Sequence, residues 1–210
     1  VWERRAAEWA TWVRTAGHDV YHTRFNWPAF APLVPQAGRL TLDVGCGEGR
    51  VGRLLRPAGH WLLGLDMPDA GHACQEAGGY ERVLLGDATA LPLVDGAVAL
   101  VVAFMSLHDM DDPVRAIAEC ARVLRPGGRF CAALVHPLNL TDRLDRYFAH
   151  LPVADTVESD GLTTTFEAVD RLGDYTRALE RAGLVIEALR EPRPDAAAPD
   201  AAAPAAAPQL

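Results

Sequence analysis

From residue 39 to residue 137, short apolar runs alternate with segments of helical length. The runs at 40–44, 61–66, 82–85, 98–104 and 129–135 are nearly unbroken Val, Leu and Ala. Strands covered on both faces read this way. Between them the spacing predicts helices over 50–56, 70–77 and 113–124. The last sets Ile117, Cys120, Ala121, Val123 and Leu124 at helical intervals, and Pro126-Gly127-Gly128 stops it. Strand and helix alternating through short connections predict a doubly wound α/β fold, a mostly parallel sheet with helices on both faces.

Beyond this core the pattern predicts a strand at 163–169, a helix at 173–182 with Gly183 at its C-cap, and a strand at 184–189. An amphipathic helix over 3–16 carries Trp9, Trp12 and Val13 on one side. Residues 192–210 are almost wholly Ala, Pro and Asp and offer no core, so a disordered tail is expected. The expected organisation is an N-terminal helix and lid segment (1–38), a cofactor-binding domain (39–191) and that tail.

Half of the 210 residues are hydrophobic, enough for one domain core, yet no apolar run approaches the ~20 residues that span a bilayer. No apolar stretch follows Val1-Trp2-Glu3-Arg4-Arg5 to act as a secretion signal. Cys46, Cys74, Cys120 and Cys131 lack metal-type spacing and read as buried free thiols of a cytoplasmic protein. A formal charge of −8 without a basic cluster disfavours a nucleic-acid partner. All 20 basic residues are arginine, which removes lysine from any catalytic role.

The most informative octet is Leu42-Asp43-Val44-Gly45-Cys46-Gly47-Glu48-Gly49. A strand ends there in a glycine-rich turn and a helix opens directly after it. Such a turn lets backbone approach a ligand closely, and the helix start offers free N–H groups. Asp66 ends the next strand, about 20 residues on, where a carboxylate accepts hydrogen bonds from ribose hydroxyls. Gly47-Glu48-Gly49-Arg50-Val51-Gly52 also fits the dinucleotide pattern G-x-G-x-x-G, so an NAD(P)-dependent oxidoreductase is an alternative. Asp43 ahead of the glycines argues against a pyrophosphate and suits the amino group of a methionine moiety. Gly86-Asp87-Ala88, followed by Leu91-Pro92, supplies a second carboxylate for an adenine amino group.

Taken together these motifs resemble the class I S-adenosylmethionine-dependent methyltransferases, in the small-molecule branch with the D-x-G-C-G-x-G motif. Asp43, Gly45, Cys46, Gly47, Gly49, Asp66 and Asp87-Ala88 match, as do 121–128 (ARVLRPGG) and the "ALERAGL" stretch. The resemblance covers roughly 40–192. It implies a Rossmann-like, seven-stranded sheet whose last strand is antiparallel, S-adenosyl-L-methionine as cofactor, and methyl transfer to a small-molecule acceptor. It further implies that the loop after Asp43 lines the methionine portion, that Asp66 holds the ribose, and that Met67 lies against adenine. Asp87 would receive the adenine amino group, and Phe104 and Met105 would close over the sulfonium end. A non-catalytic cofactor-binding module is a further alternative. A nucleic-acid methyltransferase is disfavoured, because Phe104-Met105-Ser106-Leu107 stands where an N/D-P-P-Y/W segment would.

His108 and His136 follow the fourth and fifth strands, at the rim where ligands of open parallel sheets bind, and are candidate general bases. For both, packing or strand-capping is the plainer reading. Asp109, Asp111 and Asp112 beside His108 read as a loop and N-cap rather than a metal site. Seven of the fifteen aromatic residues fall within the first thirty positions. The stretch 21–30 (YHTRFNWPAF) has no clean helical period and is expected to form a lid, with Tyr21 or Arg24 reaching the cofactor carboxylate. Residues 138–162, with Tyr147, Phe148 and His150, are the other candidate wall of the substrate pocket. The acceptor and the oligomeric state are not encoded in any of these patterns.

Overall fold

The computed structural model describes residues 6–15, 17–36, 40–136, 153–159, 162–168 and 171–192. Its central sheet has five parallel strands: β1 (Leu40–Val44), β2 (Trp61–Asp66), β3 (Arg82–Leu85), β4 (Val98–Phe104) and β5 (Leu124–Ala133), in the order β3-β2-β1-β4-β5. The helices are α1 (Ala6–Arg14), α2 (Trp27–Phe30), α3 (Arg50–Leu55), α4 (Pro68–Ala77), α5 (Pro113–Val123) and α6 (Leu172–Arg181). A separate antiparallel hairpin joins β6 (Val153–Ser159) to β7 (Leu162–Ala168), with β7 lying against α1 and the turn Leu107–Asp109.

Strand alternation sorts the core into two layers. Leu42, Val44, Leu65, Val101 and Ala103 pack with Ile117, Cys120 and Val123 of α5 and with Tyr175 and Ala178 of α6. On the other face Leu62, Leu100, Val102 and Phe104 meet Val51 and Leu55 of α3 and Phe30 of the N-terminal segment. Because β1 and β4 are buried almost throughout, their sequences show no polar alternation.

Arg122, within the ARVLRPGG signature, acts as a staple. Its guanidinium donates to the Leu91 and Leu93 carbonyls (3.0 and 2.8 Å) and to Glu119 and Asp95 (both 2.7 Å), fixing the loop that leads into β4. Asp112 caps α5 by accepting from the Arg115 N–H at 2.9 Å, as the cap reading requires, and Gly183 ends α6 at φ +77.

Three expectations need correction. The main sheet holds five strands among the described residues, not seven with an antiparallel last strand. Residues 184–189 form no strand and no ladder among the described residues, and Val185 is 86% exposed; Glu187 pairs with Arg129 at 2.9 Å and Glu191 lies 3.1 Å from His136. The stretch without helical period, 21–30, is helical. It begins with a π-turn over His22–Asn26, in which the Trp27 N–H donates to the His22 carbonyl, and the wider turn erases the 3.6-residue period. Residues 193–210 of the expected tail (192–210) and 138–152 of the expected wall (138–162) lie outside the described residues; 153–159 of that wall is β6.

No helix among the described residues is long and apolar enough to cross a membrane, and no cluster of His, Cys, Asp or Glu among them is arranged to hold a metal. Cys46, Cys74 and Cys120 are buried thiols and Cys131 is half-buried; all four are free.

Candidate functional site

The strand order reverses between β1 and β4, so their C-terminal ends part into a crevice. The glycine loop follows β1 and folds across the end of β2. The N–H groups of Gly45 and Cys46 donate to the Leu65 carbonyl (2.8 and 3.1 Å), and the Gly47 N–H donates to Asp66 Oδ2 at 2.6 Å. Gly45 is required twice over. Its φ is +74, and a Cβ there would lie 2.4 Å from Ser106 Cβ. Ser106 in turn donates its hydroxyl to the Val44 carbonyl at 2.7 Å, tying the segment after β4 to the end of β1. Gly47, at φ +53, faces open space.

Asp66 is buried and its other oxygen accepts from the Met67 N–H at 2.8 Å. Burial raises its pKa, an effect these two backbone donors oppose. Each carboxylate oxygen keeps a lone pair for a hydroxyl donor. Asp87 is exposed and caps the short turn Ala88–Ala90 through the Thr89 N–H (2.7 Å), with Ala88 buried beside it. Phe104 is buried at the end of β4. Met105, half-buried, adopts φ +56, which few non-glycine residues do.

Asp43 lies deeper than its sequence position suggests. It is fully buried, and burial pushes its carboxyl up to about 7. Tyr80 donates its hydroxyl to Asp43 Oδ2 at 2.5 Å and accepts from the Gly52 N–H at 2.9 Å, bolting α3 onto β1. The Tyr80 ring occupies the space a Cβ on Gly52 would need, at 2.3 Å. Asp43 Oδ1 is buried without a hydrogen-bond partner among the described residues. Cys46, the middle of the motif, is packed against Gly64 of β2.

The N-terminal segment reaches this loop through charges that the sequence reading passed over. Glu48, inside the glycine motif, is buried and accepts from Arg53 (2.6 and 2.8 Å), Arg50 (3.3 Å) and Arg14 of α1 (3.3 Å). Arg50 also donates to Asp19 at 2.6 Å and sits 5.8 Å from the Trp9 ring centroid. Tyr21 and Arg24 are exposed, whereas their neighbour His22 is buried against Phe104 and Trp27. The arginines at i+2 and i+5 of Glu48 were the local signal for its α3 partners, with none for Arg14.

The two candidate bases differ. The His108 side chain is buried, its Nδ1 has no partner among the described residues, and burial lowers its pKa to about 4. It is therefore a neutral imidazole and a weak base at pH 7. His136 is part-exposed, with its Nε2 3.1 Å from Glu191 Oε1.

A glycine loop after β1, an acid at the end of β2 and a crevice between β1 and β4 define a Rossmann-like nucleotide-cofactor domain. Residues 42–132 match the methyltransferase-domain family. The chain is 33% identical, over 164 residues, to a probable S-adenosylmethionine-dependent methyltransferase of Mycolicibacterium smegmatis, covering 72% of this chain and 63% of that protein. It is 36% identical over 98 residues to a malonyl-[acyl-carrier protein] O-methyltransferase of Pectobacterium atrosepticum, covering 46% of this chain and 39% of that one. An S-adenosylmethionine-dependent methyltransferase structure from Mesorhizobium loti shares the fold, with a TM-score of 0.63 at 24% identity, over 80% of this chain and 85% of that one. Residues 42–132 thus carry a methyltransferase domain similar to those of S-adenosylmethionine-dependent methyltransferases. The chain spans less than two thirds of the length of these curated relatives.

Proposed function

We propose that the protein transfers the methyl group of S-adenosylmethionine to a small-molecule acceptor. The observation that carries this reading is the interlock at the β1–β4 crevice. Gly45 has no room for a side chain, Gly47 faces open space, and Asp66 stands one strand away with lone pairs to spare. The named activity of the O-methyltransferase relative supports a small-molecule acceptor.

When bound, S-adenosylmethionine supplies an electrophilic methyl group on a sulfonium, a good leaving group. This chain's residues would bind, align and shield. Asp66 takes the ribose hydroxyls, Met67 and Ala88 flank the adenine, and Asp87 accepts from its amino group. Gly45, Cys46 and Gly47 give close backbone approach to the methionine portion. Asp43, enclosed beneath the loop, acts on it by holding Tyr80 and α3 in place. Phe104 and Met105 exclude water at the reacting end. Alignment of this kind is worth about 7–11 kcal/mol of a bimolecular barrier. Residues 1–38 serve as the lid, with Tyr21 and Arg24 reaching for the cofactor's carboxylate from the rim, and 39–191 as the cofactor domain. His136 is the remaining candidate for taking up an acceptor proton, because burial lowers the pKa of His108 to about 4 and leaves it a weak base.

The test is release of S-adenosylhomocysteine from S-adenosylmethionine against a panel of small hydroxyl, amine and activated-carbon acceptors. Product with at least one acceptor, abolished by Asp66→Ala, is expected. Tight cofactor binding with no turnover on any acceptor would instead make the chain a binding module.

A further inference from the structure

Two backbone irregularities meet at one point of the crevice. Phe104 closes β4 there, and Met105 after it holds φ +56. Opposite, the N-terminal segment makes its π-turn, and the extra residue in that turn sets both His22 and Trp27 on the Phe104 ring. The ring centroids are 5.5 Å apart in each case, with interplanar angles of 76° and 72°. π-Turns and left-handed non-glycine residues cost energy and gather at functional sites. Here they bring a histidine into a wall that is otherwise apolar.

His22 is about nine-tenths buried, and its Nδ1 finds no hydrogen-bond partner among the described residues. A buried polar atom left unmet costs about 1–3 kcal/mol. The backbone that carries the ring is nevertheless held in place. Asp19 Oδ1 accepts from the His22 N–H at 3.1 Å, and Asp19 Oδ2 accepts from Arg50 at the start of α3. The same carboxylate therefore ties His22 to the helix that follows the glycine loop. Burial, with the Arg50 charge adding to it, lowers the imidazole pKa to about 4. At neutral pH the ring carries no charge and offers one donor and one acceptor nitrogen.

We propose that His22 is the acceptor-recognition residue of this methyltransferase, its Nδ1 meeting a hydroxyl of an uncharged aromatic acceptor that packs against Trp27 and Phe104. The inference rests on the methyltransferase reading of the site. The edge-on rings favour a planar partner. A neutral imidazole gives no compensation for burying a charged one.

Binding of 2-naphthol and of 2-methoxynaphthalene, which lacks the hydroxyl hydrogen, tests this with protein saturated by S-adenosylhomocysteine. The wild type is expected to bind 2-naphthol about tenfold more tightly, the factor equivalent to 1.4 kcal/mol. His22→Phe should keep S-adenosylhomocysteine affinity and 2-methoxynaphthalene binding while losing that preference. His22→Asn, whose amide can stand near the Nδ1 position, should restore part of it. Failure of the wild type to bind either naphthalene, absence of a preference, or a preference unchanged in both variants would overturn the assignment. Repeating the naphthalene arms without cofactor separates the two readings: a protein that ignores S-adenosylhomocysteine fails the methyltransferase reading, whatever the naphthalenes do.

Discussion

Gly45→Ala should be the most damaging single-methyl change in the cofactor loop, and its cost divides into two parts. An alanine held at φ +74 pays about 1–2 kcal/mol for the left-handed conformation. Its Cβ would stand 2.4 Å from Ser106 Cβ and 2.9 Å from Ser106 Oγ, so β1 and the segment after β4 must move apart, at about 1–3 kcal/mol. The expected loss is therefore about 2–5 kcal/mol, read by urea denaturation at constant m-value. Ser106→Gly removes both clashing atoms. In the double variant the contact part should vanish and the backbone part persist, giving a coupling of about 1–3 kcal/mol in the double-mutant cycle. A loss below about 0.5 kcal/mol for Gly45→Ala, or a coupling indistinguishable from zero, would refute the interlock.

Asp43→Asn should stabilise the fold increasingly as pH rises. A buried carboxyl with its pKa raised to about 7 holds a proton that the unfolded chain releases near 4, so the wild type loses stability across that interval; asparagine does not titrate and still accepts from Tyr80. Unfolding free energies that differ little at pH 4 and by a few kcal/mol at pH 8 are expected, and parallel profiles would contradict the burial argument. The lowered pKa values of His22 and His108 act oppositely, adding stability as pH rises from about 4 to 6.5, but they are common to both proteins and cancel in the difference. Asp66→Asn should weaken S-adenosylhomocysteine roughly 10–100-fold by calorimetry, the range for hydrogen bonds to a charged group; unchanged affinity would remove Asp66 from the cofactor site. Asp19→Ala breaks the Arg50 pair and the His22 N–H cap together and should cost about 1–3 kcal/mol, with faster amide exchange over 19–33. His136→Ala, at a part-exposed contact with Glu191, should change stability by less than about 0.5 kcal/mol.

The central strands were legible because burial on both faces leaves apolar runs bounded by glycine, and 40–44, 61–66, 82–85 and 98–104 match the structure residue for residue. Legibility failed where backbone geometry departs from the two simple periods. The π-turn at His22–Asn26 hid a helix, and nothing in the sequence marks His22, between the exposed Tyr21 and Arg24, as the side chain that turns inward. The run LVIEAL at 184–189 carries strand composition without a partner strand among the described residues, so propensity alone misassigned it. At the site, Asp43 and Asp66 were visible as types and spacings. That one is sealed under Tyr80 and the other only bridged by two backbone N–H groups depends on packing across 37 residues. Likewise, nothing local in GCGEGR announces that Glu48 gathers arginines from both α1 and α3.

The central claim is the cofactor, and thermal unfolding with S-adenosylhomocysteine, beside NAD and NADP, tests it most directly. At 100 times its dissociation constant a native-state ligand adds about 2.7 kcal/mol, which for a chain of this size raises the midpoint by roughly 5–11 °C. The account predicts that rise with S-adenosylhomocysteine alone; a rise with NAD or NADP instead, or with none of the three, would contradict it.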